Sequence, residues 1–166
     1  MKKIIIILTI IISILVINKE EIVIPKDSIR FRIIANSNSV EDQKLKREIL
    51  NSLHNNIELP SNINNIKDAR TYIKKQLPNY ERIVQNTLNN NSNNKNYTIN
   101  YGLNYFPEKK YNNIKYEAGE YESLVITIGD GIGNNFWCVL FPPLCLVDED
   151  NKQYPSLVKE ILSKYF

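Results

Sequence analysis

Ten consecutive residues, Phe136-Trp137-Cys138-Val139-Leu140-Phe141-Pro142-Pro143-Leu144-Cys145, carry no charged side chain. A run this apolar belongs in part to a core strand. Pro142 and Pro143 have no N–H to give a ladder, so that strand has to stop near Phe141. An aromatic–proline bond also has access to the cis form, which would make the stop a tight corner. The segment has a second reading as a docking surface built from Trp137, Phe141, Pro142 and Pro143. Aromatic anchors concentrate binding energy, and a stiff diproline lowers the ordering cost of binding. Cys138 and Cys145 flank the corner. Their spacing, with no further ligands in sequence, does not suit a zinc site. They are read either as a disulfide or as two buried thiols.

The opposite end of the chain limits where such a domain resides. Lys2 and Lys3 precede an apolar run from Ile4 to Ile17, interrupted only by Thr9 and Ser13, and Asn18-Lys19-Glu20-Glu21 follow. A basic start, an apolar centre and a polar exit form an export pattern. As a helix the run would span roughly 21 Å, against a hydrocarbon core of roughly 30 Å. Bulky residues follow Ser13, so no small-x-small cleavage site is evident. Residues 1–18 are therefore expected to be a signal peptide or a short membrane anchor, with membrane contact through this segment. Residues 19–27 are expected to be a tether, and 28–166 a single extracytoplasmic domain.

Along that domain, Ile29, Phe31 and Ile33 alternate with Arg30 and Arg32, which reads as a strand. Asn36-Ser37-Asn38 makes a turn. Ser39 with Asp42 three residues on resembles a capping box, so a helix is expected from Val40 to about Asn55. A second helical pattern begins near Ile66 and meets Pro78. Two helices abutting there, or one kinked helix, both fit, because an interior proline costs about 3 kcal/mol. Asn89 to Asn94 reads as a polar loop. Tyr97 to Tyr105 alternates strictly, as a strand with one buried face does. Phe106 to Gly119 is expected to be a loop. Tyr121–Ile128 and Asn135–Leu140 read as strands joined by a plain hairpin turn through Gly129-Asp130-Gly131-Ile132-Gly133-Asn134, and Ser156–Tyr165 as a short helix. The order predicts an α+β fold, an antiparallel β-sheet with helices packed on one face, preceded by the hydrophobic export segment.

Little in the chain resembles catalytic machinery. The net charge is a mild +3, and the basic residues form only isolated pairs such as Lys74-Lys75 and Lys109-Lys110. Nucleic acid is therefore not an expected partner. His54 is the only histidine and reads as a helix surface residue. The glycine-rich turn lacks the Lys-Ser/Thr of a phosphate loop and the carboxylates of a calcium loop. Glu117, Glu120 and Glu122, and separately Asp148-Glu149-Asp150, are acidic clusters. Paired carboxylates hydrolyse wall sugars, so an exported wall hydrolase using Glu120 or Glu122 stands as the alternative function.

Several segments together resemble one family. They are Ile29 through Ser39, Glu41 through Lys46, Phe106-Pro107 with Lys109 and Tyr111, Ala118 through Leu124, Ile128-Gly129, and above all Asn135 through Cys145. In these segments the sequence resembles stage II sporulation protein R, a signalling family of endospore-forming bacteria. Arg32 stands where the family pattern leads one to expect His, and Phe136 where it leads one to expect Trp. The resemblance implies a signal rather than an enzyme, with no cofactor and no metal. Such proteins are exported from the forespore into the intermembrane space. There they trigger a membrane-embedded aspartic protease that cleaves the precursor of sigma-E. On this reading the partner-contacting residues are Trp137, Phe141, Pro142 and Pro143, with Glu120 and Glu122 as polar companions and Arg30 and Asn36 in second rank.

Overall fold

The computed structural model describes residues 21–111, 114–145 and 155–166. The export segment and the Asp148–Asp150 cluster lie outside them. The chain runs β1 (Ile22–Val23), β2 (Ile29–Ile34), α1 (Val40–Ile57), α2 (Ile66–Asn90), β3 (Tyr97–Phe106), β4 (Lys109–Tyr111), β5 (Ile114–Tyr116), β6 (Gly119–Ile128), β7 (Asn135–Phe141) and α3 (Pro155–Tyr165). The fold is α+β. Among the described residues no helix is long and apolar enough to cross a membrane.

The main sheet has the order β3-β6-β2-β7. It is mixed, which corrects the expectation of an antiparallel sheet. β3 pairs with β6 and β7 with β2 antiparallel, but β2 and β6 run parallel. The reason lies in β2. Ile29, Arg30, Phe31 and Ile33 are all buried, so this strand needs a neighbour on each side and cover on each face. It is inserted between β6 and β7. The segment Gly129–Asn134 therefore joins two strands that do not touch. It is a crossover around the end of β2, not the plain hairpin turn expected.

Periodicity decides which face each strand residue takes. Ile29, Phe31 and Ile33 of β2, with Leu124, Ile126 and Ile128 of β6, face Leu45, Ile49, Leu53 and Ile57 of α1 and Ala69, Ile73, Val84 and Leu88 of α2. Both helices thus cover one face. α1 starts at the expected cap, where the Asp42 N–H donates to Ser39 Oγ at 3.1 Å. α2 starts at Asn65, whose side chain accepts from the Asp68 N–H at 2.9 Å. Of the two helical readings around Pro78, the continuous one holds: α2 is a single helix with Pro78 inside it. Its stripe of buried residues on both sides of the proline supplies the packing that offsets the lost hydrogen bond. α2 also takes in Asn89 and Asn90 from the expected loop.

Two segments read as irregular are strands. Phe106–Gly119 contains β4 and β5, and the expected tether contains β1. These three form a second sheet of order β1-β5-β4. Ile22, Ile24, Ile114 and Tyr116 bury themselves there together with Val139, Leu144 and Val158 of α3. Alternation over two or three residues is too short to separate a strand from a loop, so only tertiary packing identifies them.

Candidate functional site

The structure splits the expected contact residues into three groups and sets Glu120 and Glu122 apart from them. The first is the diproline corner. The Phe141–Pro142 bond is cis. Phe141 and Pro142 are buried, and Phe141 packs edge-on against Tyr165 with ring centroids 5.2 Å apart. Cys138 and Cys145 form a disulfide across this corner, Cα–Cα 5.1 Å. Pro143 and Cys145 are half-buried and line an apolar groove of about 270 Å³ with Ile57, Leu59, Leu140 and Ile161.

The second group is a polar latch at the far end of β2. Asn36 Nδ2 donates to Asp42 Oδ2 at 2.7 Å, and Ser37 Oγ donates to the same oxygen at 2.6 Å. Lys95 Nζ lies 3.2 Å from Asp42 Oδ1. These partners, Asn36 and Ser37 foremost, hold the buried Asp42 carboxyl down at a pKa of about 2. The Asn36 side-chain oxygen accepts from the Asp130 N–H at 3.0 Å, and its backbone carbonyl accepts from Ile132 at 3.2 Å. Gly133 donates to the Ala35 carbonyl at 2.9 Å. Gly129 sits at φ +55°, where a Cβ would come within 2.1 Å of Asn36 Oδ1. Asn36 therefore ties the Gly129–Asn134 crossover to the start of α1. Its side-chain oxygen and one of its amide N–H groups are engaged inside the fold.

The third group lies on the sheet face away from α1 and α2. Arg30 is 1% exposed, and its Cζ sits 3.3 Å from the Tyr121 ring centroid. The Phe106 and Tyr116 rings stand 5.4 Å and 5.6 Å from the same atom. Arg32, two residues along the strand, places its Cζ 4.7 Å from Phe106. Its antiparallel partner is Trp137, whose ring packs edge-on against Phe106 at 5.2 Å. Lys109 Nζ lies 4.9 Å from the Trp137 ring. Arg30 is closed in, whereas Arg32, Lys109 and Trp137 are half-buried at the rim. Burial pulls the pKa of both arginines below the ordinary guanidinium value. Arg32, Phe106 and Lys109 were not among the residues expected to carry function. The register that places Arg32 beside Trp137 is set by β2–β7 pairing, which local sequence does not reveal.

The glutamates sit on the opposite face. Glu122 accepts from Arg70 Nε and Nη2 and from the Tyr101 hydroxyl, each at 2.7 Å. The Arg70 hydrogen bond leads in holding its carboxyl below the usual range, with Tyr101 helping. A general acid needs the reverse shift. Glu120 is exposed on the same face of β6. His54 is a surface residue, 3.6 Å from Glu58. Among the described residues no three His, Cys, Asp or Glu side chains gather to hold a metal ion.

Much of this architecture is built from segments that are shared with known proteins. Residues 25–151, from the approach to β2 through the disulfide corner, match the family model of stage II sporulation protein R. The chain belongs to that family. A sporulation protein of the same description from Bacillus subtilis (strain 168) is 41% identical over 133 residues, covering 80% of this chain and 59% of that protein. The chain thus spans about three fifths of the relative's length. No solved structure matches it. The matched residues include all three groups described above, the Asn36 latch, the arginine–aromatic face and the Cys138–Cys145 corner.

Proposed function

We propose that this chain is an exported sporulation signal. It leaves the forespore, enters the intermembrane space and activates a membrane-embedded aspartic protease that cleaves the sigma-E precursor. The observation that carries this reading is the family match over residues 25–151. The geometry adds support. Trp137 remains half-buried at the rim of a face that carries Arg32 and Lys109, so an aromatic anchor with cations around it is within reach of a partner. Glu122, by contrast, is committed to Arg70 and Tyr101.

A ligand of this kind activates a receptor by binding its active form more tightly than its inactive form. The test is precursor cleavage in cells that express this chain, the membrane protease and the precursor, with and without residues 1–18. Cleavage that requires the exported chain supports the proposal. Cleavage indifferent to the chain refutes it and leaves turnover of purified wall material as the assay for the hydrolase alternative. Trp137→Ala is the sharper variant. It should be folded, exported and silent, and a folded, fully signalling variant removes Trp137 from the contact surface.

A further inference from the structure

On the non-helical face of the main sheet lie two arginines that, among the described residues, form no ion pair. Arg30 and Arg32 point the same way from β2, and both guanidiniums pack on Phe106. The Arg30 guanidinium donates to the Glu117 backbone carbonyl at a long 3.4 Å, and the Tyr121 hydroxyl and the Glu117 carboxylate favour its charge. Arg30 Nε and Nη2, Arg32 Nε and Trp137 Nε1 are closed to solvent and meet no acceptor. Every one of these atoms is a donor. Buried donors and buried charge normally find partners inside a fold, because leaving them unpaired is costly. Cation–aromatic stacking on Tyr121, Phe106 and Tyr116 offsets part of that cost. It supplies no acceptor to Arg32 Nε or Trp137 Nε1.

The rim of this face is open where Arg32, Trp137 and Lys109 meet. We propose that this rim is a docking site for a carboxylate side chain on an apolar–acidic segment of a partner protein. Arg32 would present its planar fork to the carboxylate, and Arg30 beneath would add field without contact. A carboxylate is planar and matches the guanidinium fork. The surroundings choose the carrier. Ile34 and Trp137 pack beside Val125, Phe106 and Tyr121, so an acidic residue with apolar neighbours gains from the site and a free small anion gains little. This deepens the signalling role proposed above by naming the chemistry of the receptor's docking group.

Trp137 is the only tryptophan in the chain, so an isotope-labelled indole N–H gives a single resonance inside the site. The full chain is titrated at constant ionic strength with a capped Leu-Glu-Leu tripeptide, with its Leu-Gln-Leu isostere and with inorganic phosphate. The Glu peptide should shift the indole resonance saturably, and the Gln isostere should not. Arg32→Gln should weaken the Glu peptide by at least about tenfold, the worth of a charge-assisted bidentate contact. Lys44→Gln, at a side chain 69% exposed on α1, should leave binding unchanged. Equal shifts from both peptides, phosphate binding more tightly than the Glu peptide, or undiminished binding by Arg32→Gln each overturn the proposal. If Arg32→Gln does not fold, Arg32→Lys keeps the charge but loses the fork. It should bind several-fold more weakly, and equal affinity refutes the role of the fork. Peptide binding without precursor cleavage in cells refutes the signalling role alone. Precursor cleavage that depends on the chain, without peptide binding, refutes this inference alone.

Discussion

The Arg70 guanidinium of α2 grips the Glu122 carboxylate of β6 with two parallel hydrogen bonds, Nε to Oε1 and Nη2 to Oε2, both 2.7 Å. The pair joins helix to sheet, and Tyr101 of β3 completes it with a third bond. It is half-open to solvent, which limits its worth. Glu122→Gln should lower unfolding stability by about 1–2 kcal/mol, since one amide cannot accept both Arg70 bonds. A double-mutant cycle with Arg70→Ala should return a coupling of about 1 kcal/mol in urea melts.

The Asp42 carboxyl should make the fold acid-sensitive. Its pKa falls from 3.8 to about 2 on folding, because Asn36 and Ser37 donate to the ionised form and Lys95 lies beside it. The unfolded chain therefore holds this proton more readily than the folded chain. The contribution is fully present above pH 3.8 and is lost as pH falls toward about 2. It amounts to roughly 2 kcal/mol. Chemical denaturation across that range should show the loss, and Asp42→Asn should flatten that part of the profile.

Gly129 has no room for a side chain. Its φ of +55° and the 2.1 Å approach of a would-be Cβ to Asn36 Oδ1 act together. Gly129→Ala should destabilise by about 2 kcal/mol or more, because the left-handed backbone and the Asn36 latch cannot both be kept. The same variant should raise amide exchange at Ile132 and Gly133, whose N–H groups donate to Asn36 and Ala35.

The Cys138–Cys145 bridge closes a loop with a sequence separation of 7. Reduction, or paired Cys→Ser substitution, should cost about 2–3 kcal/mol from the unfolded-state side. Urea midpoints with and without reductant measure it directly. A chain made in a reducing compartment should match the reduced midpoint until it is oxidised.

Much of the fold was legible residue by residue. The alternation at Ile29, Phe31 and Ile33, the Ser39–Asp42 cap, the stripe of Leu45, Ile49 and Leu53, and the end of a strand at Phe141 follow from side-chain period and backbone chemistry. These rules act over a few neighbours, and their outcome barely depends on the rest of the chain. The family, too, was legible, because the Asn135–Cys145 segment is long and unusual.

Strand neighbours were not legible. Nothing local to Ile29–Ile34 says that β6 will pair with it in parallel and β7 antiparallel, because pairing depends on segments roughly ninety to a hundred and ten residues away settling which edges they cover. Everything that depends on that choice was hidden with it: the Gly129–Asn134 crossover, the small β1-β5-β4 sheet, and the meeting of Arg32 with Trp137. Glu122 shows the same division. Its place on a strand was readable from spacing, but its capture by Arg70 required α2 to cross that face of the sheet. By itself the sequence determined the longer elements, their buried faces and the family. Only the tertiary structure decided which charges would meet, as Arg70 and Glu122 do, because ion pairing is a matter of distance between segments rather than of composition.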